Sequence, residues 1–160
     1  MAKRKIVTIP NAILRAKAVS LEKNAFGTPS IRQLVQDMAE TMAAADGIGL
    51  AAPQVGTRER VFIVATKNGA LAFCNPKIVK HSFLKITMEE GCLSIPGVFG
   101  TVKRPRRIQV EACDVEGKPF RTTADGLLAR VIQHELDHLN GILFIDKVIR
   151  ITRGEKPANT

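Results

Sequence analysis

The spacing of hydrophobic and polar residues predicts an amphipathic helix in the N-terminal part of the chain. Thr28-Pro29-Ser30 supplies a capping hydroxyl and a proline in the first turn. The apolar residues that follow fall on one stripe of a helix: Ile31, Leu34, Val35, Met38, Met42 and Ala45. The pattern therefore predicts a helix of about 15 residues, and Asp46-Gly47 ends it.

A second helix is predicted near the C-terminal end. It begins at Asp125-Gly126, with Asp125 as the N-cap, and runs to about Leu139 before Asn140-Gly141 provides a left-handed stop. Between the helices, short runs rich in β-branched and aromatic residues alternate with turn signals and predict an antiparallel or mixed sheet. These predicted strands are residues 61–65, 71–74, 83–88 and 107–113.

The length and composition suit one folded domain. The chain has 160 residues, 45% of them hydrophobic and 24% charged, which is enough to bury a core. We expect residues 1–146 to form a single catalytic domain and residues 147–160 a basic tail whose last several residues are mobile. Apolar runs fall far short of the roughly 20 residues of a membrane span. No secretory signal is recognisable, so the expected location is the cytoplasm.

The net charge of +9 implies attraction to polyanions, but lysine and arginine are dispersed along the chain. The densest basic patches are residues 103–107 and the tail, and we interpret them as solvated surface. The three cysteines are an odd and sparse set, which favours reduced thiols over a disulfide framework.

The candidate chemistry lies in the second helix, in His134-Glu135-Leu136-Asp137-His138. Because residues four apart share a helix face, both imidazoles can reach one metal ion. Glu135 flanks that face, where its carboxylate can take a proton from a water molecule at the metal. The pattern therefore predicts a metal-dependent hydrolase in which Glu135 carries the proton.

The same helix face continues into an apolar wall. Leu127 and Val131 fall within about 60° of His134 on a helical wheel. They would either line a pocket for an aliphatic side chain or belong to the core. Leu136 and Ala129 fall on the opposite side, which is expected to pack into the protein.

A catalytic metal needs a third protein ligand and an open position for water. Cys92 is the best candidate, because it lies where a strand stops and beside a glycine that permits a close approach. Cys74 and Cys113 lie in or at the end of apolar strands and are better explained as small buried hydrophobic residues.

Three segments, in this order and spacing, resemble the signature motifs of the peptide deformylases. They are Gly47-Ile48-Gly49-Leu50-Ala51-Ala52-Pro53-Gln54, Glu90-Gly91-Cys92-Leu93-Ser94 and Gln133-His134-Glu135-Leu136-Asp137-His138. The resemblance implies an α+β fold in which antiparallel or mixed β-sheets pack around a central C-terminal helix with the metal-binding motif, plus one N-terminal helix. It also implies removal of the formyl group from the N-terminal formyl-methionine of newly made polypeptides, with release of formate.

The resemblance further implies roles for single residues. The metal ligands would be Cys92, His134 and His138. Glu135 would be the general base and acid, and Gln54 with the backbone N–H of Leu93 would face the developing oxyanion.

The resemblance also implies the substrate contacts and the partners. The substrate backbone would pair with Ile48 and Gly49, and the methionine pocket would include Met88, Leu127 and Val131. The expected cofactor is one divalent metal ion, Fe²⁺, with Zn²⁺, Ni²⁺ or Co²⁺ able to occupy the site. Nascent N-formyl-methionyl polypeptides are the expected partners, together with a weak ribosome contact through the basic tail.

Two other functions fit parts of the pattern. A zinc peptidase shares the His-Glu-x-x-His motif but usually takes its third ligand downstream, and no histidine follows His138. A basic ribosome- or RNA-binding protein with a structural metal would need four Cys/His ligands, and the remaining histidine, His81, has no partner pattern. The upstream Cys92 favours deformylation.

Overall fold

The computed structural model describes residues 3–158. Residues 1, 2, 159 and 160 lie outside this range, so part of the tail that was expected to be mobile falls outside the described residues. None of the helices in residues 3–158 has the length and apolar character needed to cross a bilayer.

Two α-helices and eight β-strands make up the described part of the chain. The helices are α1 (Pro29–Ala44) and α2 (Gly126–Leu139). The strands are β1 (Gly49–Ala51), β2 (Val61–Thr66), β3 (Gly69–His81), β4 (Lys85–Cys92), β5 (Ile95–Pro105), β6 (Arg107–Cys113), β7 (Pro119–Asp125) and β8 (Val148–Arg153). Short 3₁₀ helices lie at Ala12–Arg15, Ala52–Val55 and Phe144–Asp146.

Both predicted helices are confirmed. The Thr28 hydroxyl accepts a hydrogen bond from the N–H of Ile31 and caps α1, and most of the predicted stripe is buried. Asp125 occupies the N-cap position of α2, but its side chain makes no capping hydrogen bond. Its carboxylate instead accepts hydrogen bonds from the side chains of Arg106 and Arg107. These two oxygens are therefore not the acceptors of the first N–H groups of the helix.

The predicted strands are present, although their ends differ. The run at 71–74 is the middle of the longer β3, and the run at 83–88 overlaps β4, which begins two residues later at Lys85. Phe83 is fully exposed in the turn before it. Sequence patterns did not predict β1, β5, β7 and β8, and β8 lies within the segment assigned to the tail.

A five-stranded antiparallel sheet, in the order β1-β2-β3-β6-β7, lies between the two helices. Since alternate side chains of a strand point to opposite faces, Phe62 and Val64 of β2 pack on the side of α2. Val61 and Ile63 pack on the side of α1. Coverage on both faces explains why this strand is a continuous apolar run.

A second antiparallel sheet, in the order β4-β5-β8, packs over a separate hydrophobic cluster. Val102 and Ile95 from β5 are fully buried there with the 3₁₀ helix at Phe144–Asp146. Helix α2 contacts strands of both sheets. The α+β fold class, with sheets around a central C-terminal helix, is therefore confirmed.

Gly141, just after α2, marks a close approach to the N-terminal segment. Its φ of 73° lies in the left-handed region, and a Cβ there would collide with the carbonyl oxygen of Arg15. Gly97 has nearly the same φ, 76°, but no heavy atom within 4 Å of the position its Cβ would take.

We expect Gly141→Ala to destabilise the fold more than Gly97→Ala. Both variants incur left-handed strain of about 1–2 kcal/mol. Gly141→Ala must also push two backbone segments apart, which adds roughly 1–3 kcal/mol. Urea unfolding of the two variants measures the difference in free energy of unfolding. Equal losses would show that the contact with Arg15 does not constrain the fold.

Candidate metal centre and catalytic site

Helix α2 presents the candidate site because its opposite side is anchored in the core. Ala129, Ile132 and Leu139 are fully buried against the five-stranded sheet, and Leu136 packs on the same cluster. The predicted orientation of the helix is confirmed. The face with the two histidines is turned towards the end of β4.

Cys92, His134 and His138 come together at this point. One ligand atom from each residue lies within 4.8 Å of the others, and the Sγ of Cys92 lies 3.2 Å from the Nε2 of His138. A sulfur and two imidazole nitrogens form a donor set that suits zinc and other transition metals. The structure thus brings the three predicted ligands into a cluster that could bind a metal.

Glu90 orients His134, since the Nδ1 of the ring hydrogen-bonds Oε2 of the carboxylate at 3.0 Å. Nε2 is therefore the nitrogen available to a metal. Burial alone lowers the pKa of His134, but hydrogen bonds with Cys92 and Glu90 outweigh it and raise that pKa well above its ordinary value, so a metal ion at Nε2 would have to displace a proton. Burial and the nearby positive charges lower the pKa of His138, which keeps this imidazole neutral, the form that binds metals.

Two buried arginines hold Glu90 in place. Its Oε1 accepts hydrogen bonds from the Nε of Arg104 and the Nη1 of Arg130, both at 2.6 Å. Arg104 also donates to Asp137 of α2, which is bound in turn by Lys147. Burial alone would raise the pKa of Glu90, but Arg104 and the neighbouring imidazole hold that pKa well below its usual range. Glu90 therefore remains ionised.

Glu135 is buried beside the ligands and its Oε2 has no hydrogen-bond partner among the described residues. The carboxylate rests against Gly49, where a Cβ would come within 2.5 Å of Oε1. Burial raises the pKa of Glu135 to about 7. A carboxyl group with a pKa near neutrality can both accept and return a proton.

Gln54, in the 3₁₀ helix Ala52–Val55, is buried with its amide aimed at the cluster. Its Oε1 accepts a hydrogen bond from the N–H of Ala51 at 2.9 Å. The Nε2 therefore points the other way, 3.5 Å from the Sγ of Cys92 and 3.2 Å from the Oγ of Ser94. Leu93 follows the cysteine in the two-residue turn between β4 and β5.

A cavity of about 500 Å³ opens beside the cluster. Most residues predicted from the sequence line it: Ile48, Gly49, Gln54, Cys92, Leu93, Leu127, Val131, His134 and Glu135. His138 is not among the lining residues and is almost completely buried. Met88 does not line the cavity either, and its contact with the substrate stays a prediction.

Several residues at the site received no role from the sequence, although Glu90 and Asp137 lie within the motifs that resemble the family. The charged members of this set are Asp46, Glu89, Glu90, Arg104, Arg130 and Asp137. The interpretation of residues 103–107 as solvated surface is wrong for Arg104, which is 3% exposed. It lies on the same face of β5 as the fully buried Val102, because alternate residues of a strand share a face.

Comparison with known proteins identifies the family. The model of the polypeptide deformylase family matches residues 3–154. The peptide deformylase of Caldicellulosiruptor bescii is 47% identical over 156 residues, which cover 98% of this chain and 92% of that protein.

Solved structures agree. The peptide deformylase of Thermotoga maritima superposes with a TM-score of 0.89 at 37% identity, covering 94% of this chain and 100% of that one. The class I type b peptide deformylase of Acinetobacter baumannii with bound Met-Ala-Ser gives a TM-score of 0.88 at 34% identity, covering 92% and 99% of the two chains.

These matches support deformylation and neither of the two alternative functions. A structural metal would also need four protein ligands, whereas the cluster in the described residues contains three. The chain belongs to the polypeptide deformylase family, metal-dependent hydrolases that remove the formyl group from the N-terminal formyl-methionine of new polypeptides.

Proposed function

We propose that this chain deformylates N-formyl-methionyl polypeptides with Glu135 as general base and acid, beside one divalent metal ion. The proposed ligands are Cys92, His134 and His138. The observation that carries the proposal is the position of Glu135, a buried carboxyl group with a pKa near neutrality in a cavity wall next to the ligands. The products are formate and a polypeptide with a free N-terminal amine.

The residues of the cluster fit a catalytic metal. Glu90 leaves the Nε2 of His134 free to coordinate, His138 is neutral, and the adjoining cavity leaves room for water. A divalent ion held there would supply Lewis acidity, which lowers the pKa of water and polarises a carbonyl group.

Glu135 would move the proton that the reaction requires. Its carboxylate takes a proton from the attacking water, whose oxygen forms a bond to the formyl carbon. As the C–N bond breaks, the same carboxyl group returns that proton to the leaving amine. The burial of Glu135 supports this role, because a desolvated carboxylate holds a proton more strongly than an exposed one.

Gln54 and Leu93 would stabilise the negative charge that develops on the formyl oxygen. The Nε2 of Gln54 is fixed near the ligand sulfur by the hydrogen bond that its Oε1 accepts from Ala51. The N–H of Leu93 follows the cysteine ligand directly. The loss of one such donor typically raises the barrier by about 3–4 kcal/mol.

The substrate would lie extended between two sheet edges. β1 is an outer strand of the first sheet and β4 of the second, and residues of both line the cavity. The peptide backbone would pair with Ile48 and Gly49, and the methionine side chain would contact Leu127, Val131 and Met88. The Acinetobacter baumannii relative with bound Met-Ala-Ser supports a site for a peptide of this kind.

Fe²⁺ is the proposed active ion, with Zn²⁺, Ni²⁺ or Co²⁺ able to occupy the site. One thiolate and two imidazoles suit all of these metals, and affinity increases from iron towards the later ones. Supply in the cell would therefore decide which ion is bound. The family resemblance is the basis for choosing iron.

The ribosome is a proposed partner and the cytoplasm the proposed location, because the substrate is a polypeptide under synthesis. Arg150 on β8 is exposed and has no ion-pair partner among residues 3–158, which supports an electrostatic contact. Lys147 is less available, since it binds Asp137.

Glu135→Gln is expected to retain its metal but to release formate from formyl-Met-Ala at least about 100-fold more slowly, because it lacks the general base. Cys92→Ser should lose both metal and activity, since the thiolate is a ligand. Glu111→Gln, which changes a surface carboxylate on β6, is the control. Elemental analysis and a formate assay give both readouts. Near-normal turnover by metal-loaded Glu135→Gln would contradict the assigned role.

Protein purified without oxygen is expected to lose activity in air, because ferrous iron oxidises, whereas protein reloaded with Zn²⁺ should keep whatever activity it has. Formate release is measured before and after exposure to oxygen. Full activity retained in air by the anaerobically purified protein would count against Fe²⁺ as the active ion.

Arg150→Ala is expected to weaken cosedimentation of the protein with ribosomes at low salt, and added salt should abolish the contact in the wild type. Arg58→Ala removes the same charge from another exposed position and is the control. Equal binding by the two variants would argue against a contact through β8.

A further inference from the structure

The end of β8 forms an outer layer on one wall of the cavity. Three consecutive residues each contact a different residue that lines the cavity, yet none of the three lines it directly. The contacts are Thr152 with Glu89, Arg153 with Phe99, and Gly154 with Gly97. The hydroxyl of Thr152 donates to the Oε1 of Glu89 at 2.5 Å. This segment is therefore packed against the wall.

Arg153 occupies a defined position within this layer. Gly91, Phe99 and Arg153 are register partners across β4, β5 and β8. The ring of Phe99 lies over Gly91, where a Cβ would come within 2.6 Å of it. The guanidinium of Arg153 lies 4.5 Å from the centroid of that ring. The cation–π contact holds the guanidinium against a ring that itself lines the cavity.

Arg153 has no carboxylate partner among the described residues. No ion pair joins it to any acidic residue in the described range 3–158. Arg130, the cation in the cavity wall, is buried and bound to Glu90. Asp46 and Glu89, in contrast, are exposed acidic residues of the wall. Arg153 is thus a cation near the cavity with hydrogen-bond donors to offer.

We propose that Arg153 determines specificity for substrate residues that follow the methionine, by favouring an acidic side chain there. The inference rests on the proposed function, in which the peptide runs along the edge of β4. A side chain that projects outward from this edge, next to Gly91, meets Phe99 and the guanidinium above it. A guanidinium recognises a carboxylate through charge-assisted hydrogen bonds, with a planar fork that can bind both oxygens.

The test isolates charge by comparing Asp with Asn at the second and at the third residue of formyl-Met tetrapeptides that otherwise contain alanine. The ratio of kcat/KM for Asp over Asn is measured in the wild type, Arg153→Met and Arg150→Met. Arg150→Met is the matched control, since it removes the same charge from the same strand at a residue without a contact to the cavity wall. Metal content and circular dichroism verify that the variants are loaded and folded.

Arg153→Met is expected to lower the Asp/Asn ratio about 1.5- to 5-fold at one of the two positions, the range of an exposed ion pair. The change should lie in KM and leave kcat for formyl-Met-Ala intact. Calorimetric binding of the deformylated Asp and Asn peptides should show the same loss of preference. Arg150→Met should leave the ratio unchanged.

An unchanged ratio in Arg153→Met, or an equal shift in both variants, would overturn the inference, because the second result reflects only long-range charge. Failure of the proposed function has a different signature. In that case the wild-type protein loaded with Fe²⁺ would release no formate from any formyl-Met peptide.

Discussion

The buried carboxylate of Glu90 is the interaction on which the site depends. It joins β4 to β5 through Arg104 and to α2 through Arg130 and His134. Burial of such ions costs several kcal/mol each, and removal of one partner from a buried pair typically costs 3–5 kcal/mol. The cluster therefore persists only when all of its members are present. It fixes α2 relative to the second sheet, and with it the approach of the two histidines to Cys92.

The features that were predictable from the sequence are those that one local pattern determines. A capping hydroxyl, a proline and an apolar stripe are sufficient to define α1. The four-residue spacing of His134 and His138 places both rings on one side of α2, whatever the rest of the chain does. Leu127 and Val131 follow from the same spacing, and both line the cavity.

The features that were missed depend on partners far away in the chain. β5 contains two prolines and two glycines, which obscure its alternation, and β8 resembles a basic tail until its pairing with β5 is known. Arg104 lies in a run of basic residues. Its burial becomes evident only when the face of β5 that turns towards the core is known. The part of the cavity wall at Phe99 was missed for the same reason, because the residues beside Phe99 belong to β4 and β8.

The order of the parts along the chain has a consequence for synthesis. The histidines of α2 lie close to the C-terminal end, and the outer layer of the wall, at residues 152–154, comes later still. Cys92 is therefore synthesised more than 40 residues before the first of the two histidines. The candidate metal site cannot assemble until α2 has emerged, and the layered wall of the cavity cannot be completed until β8 has followed it.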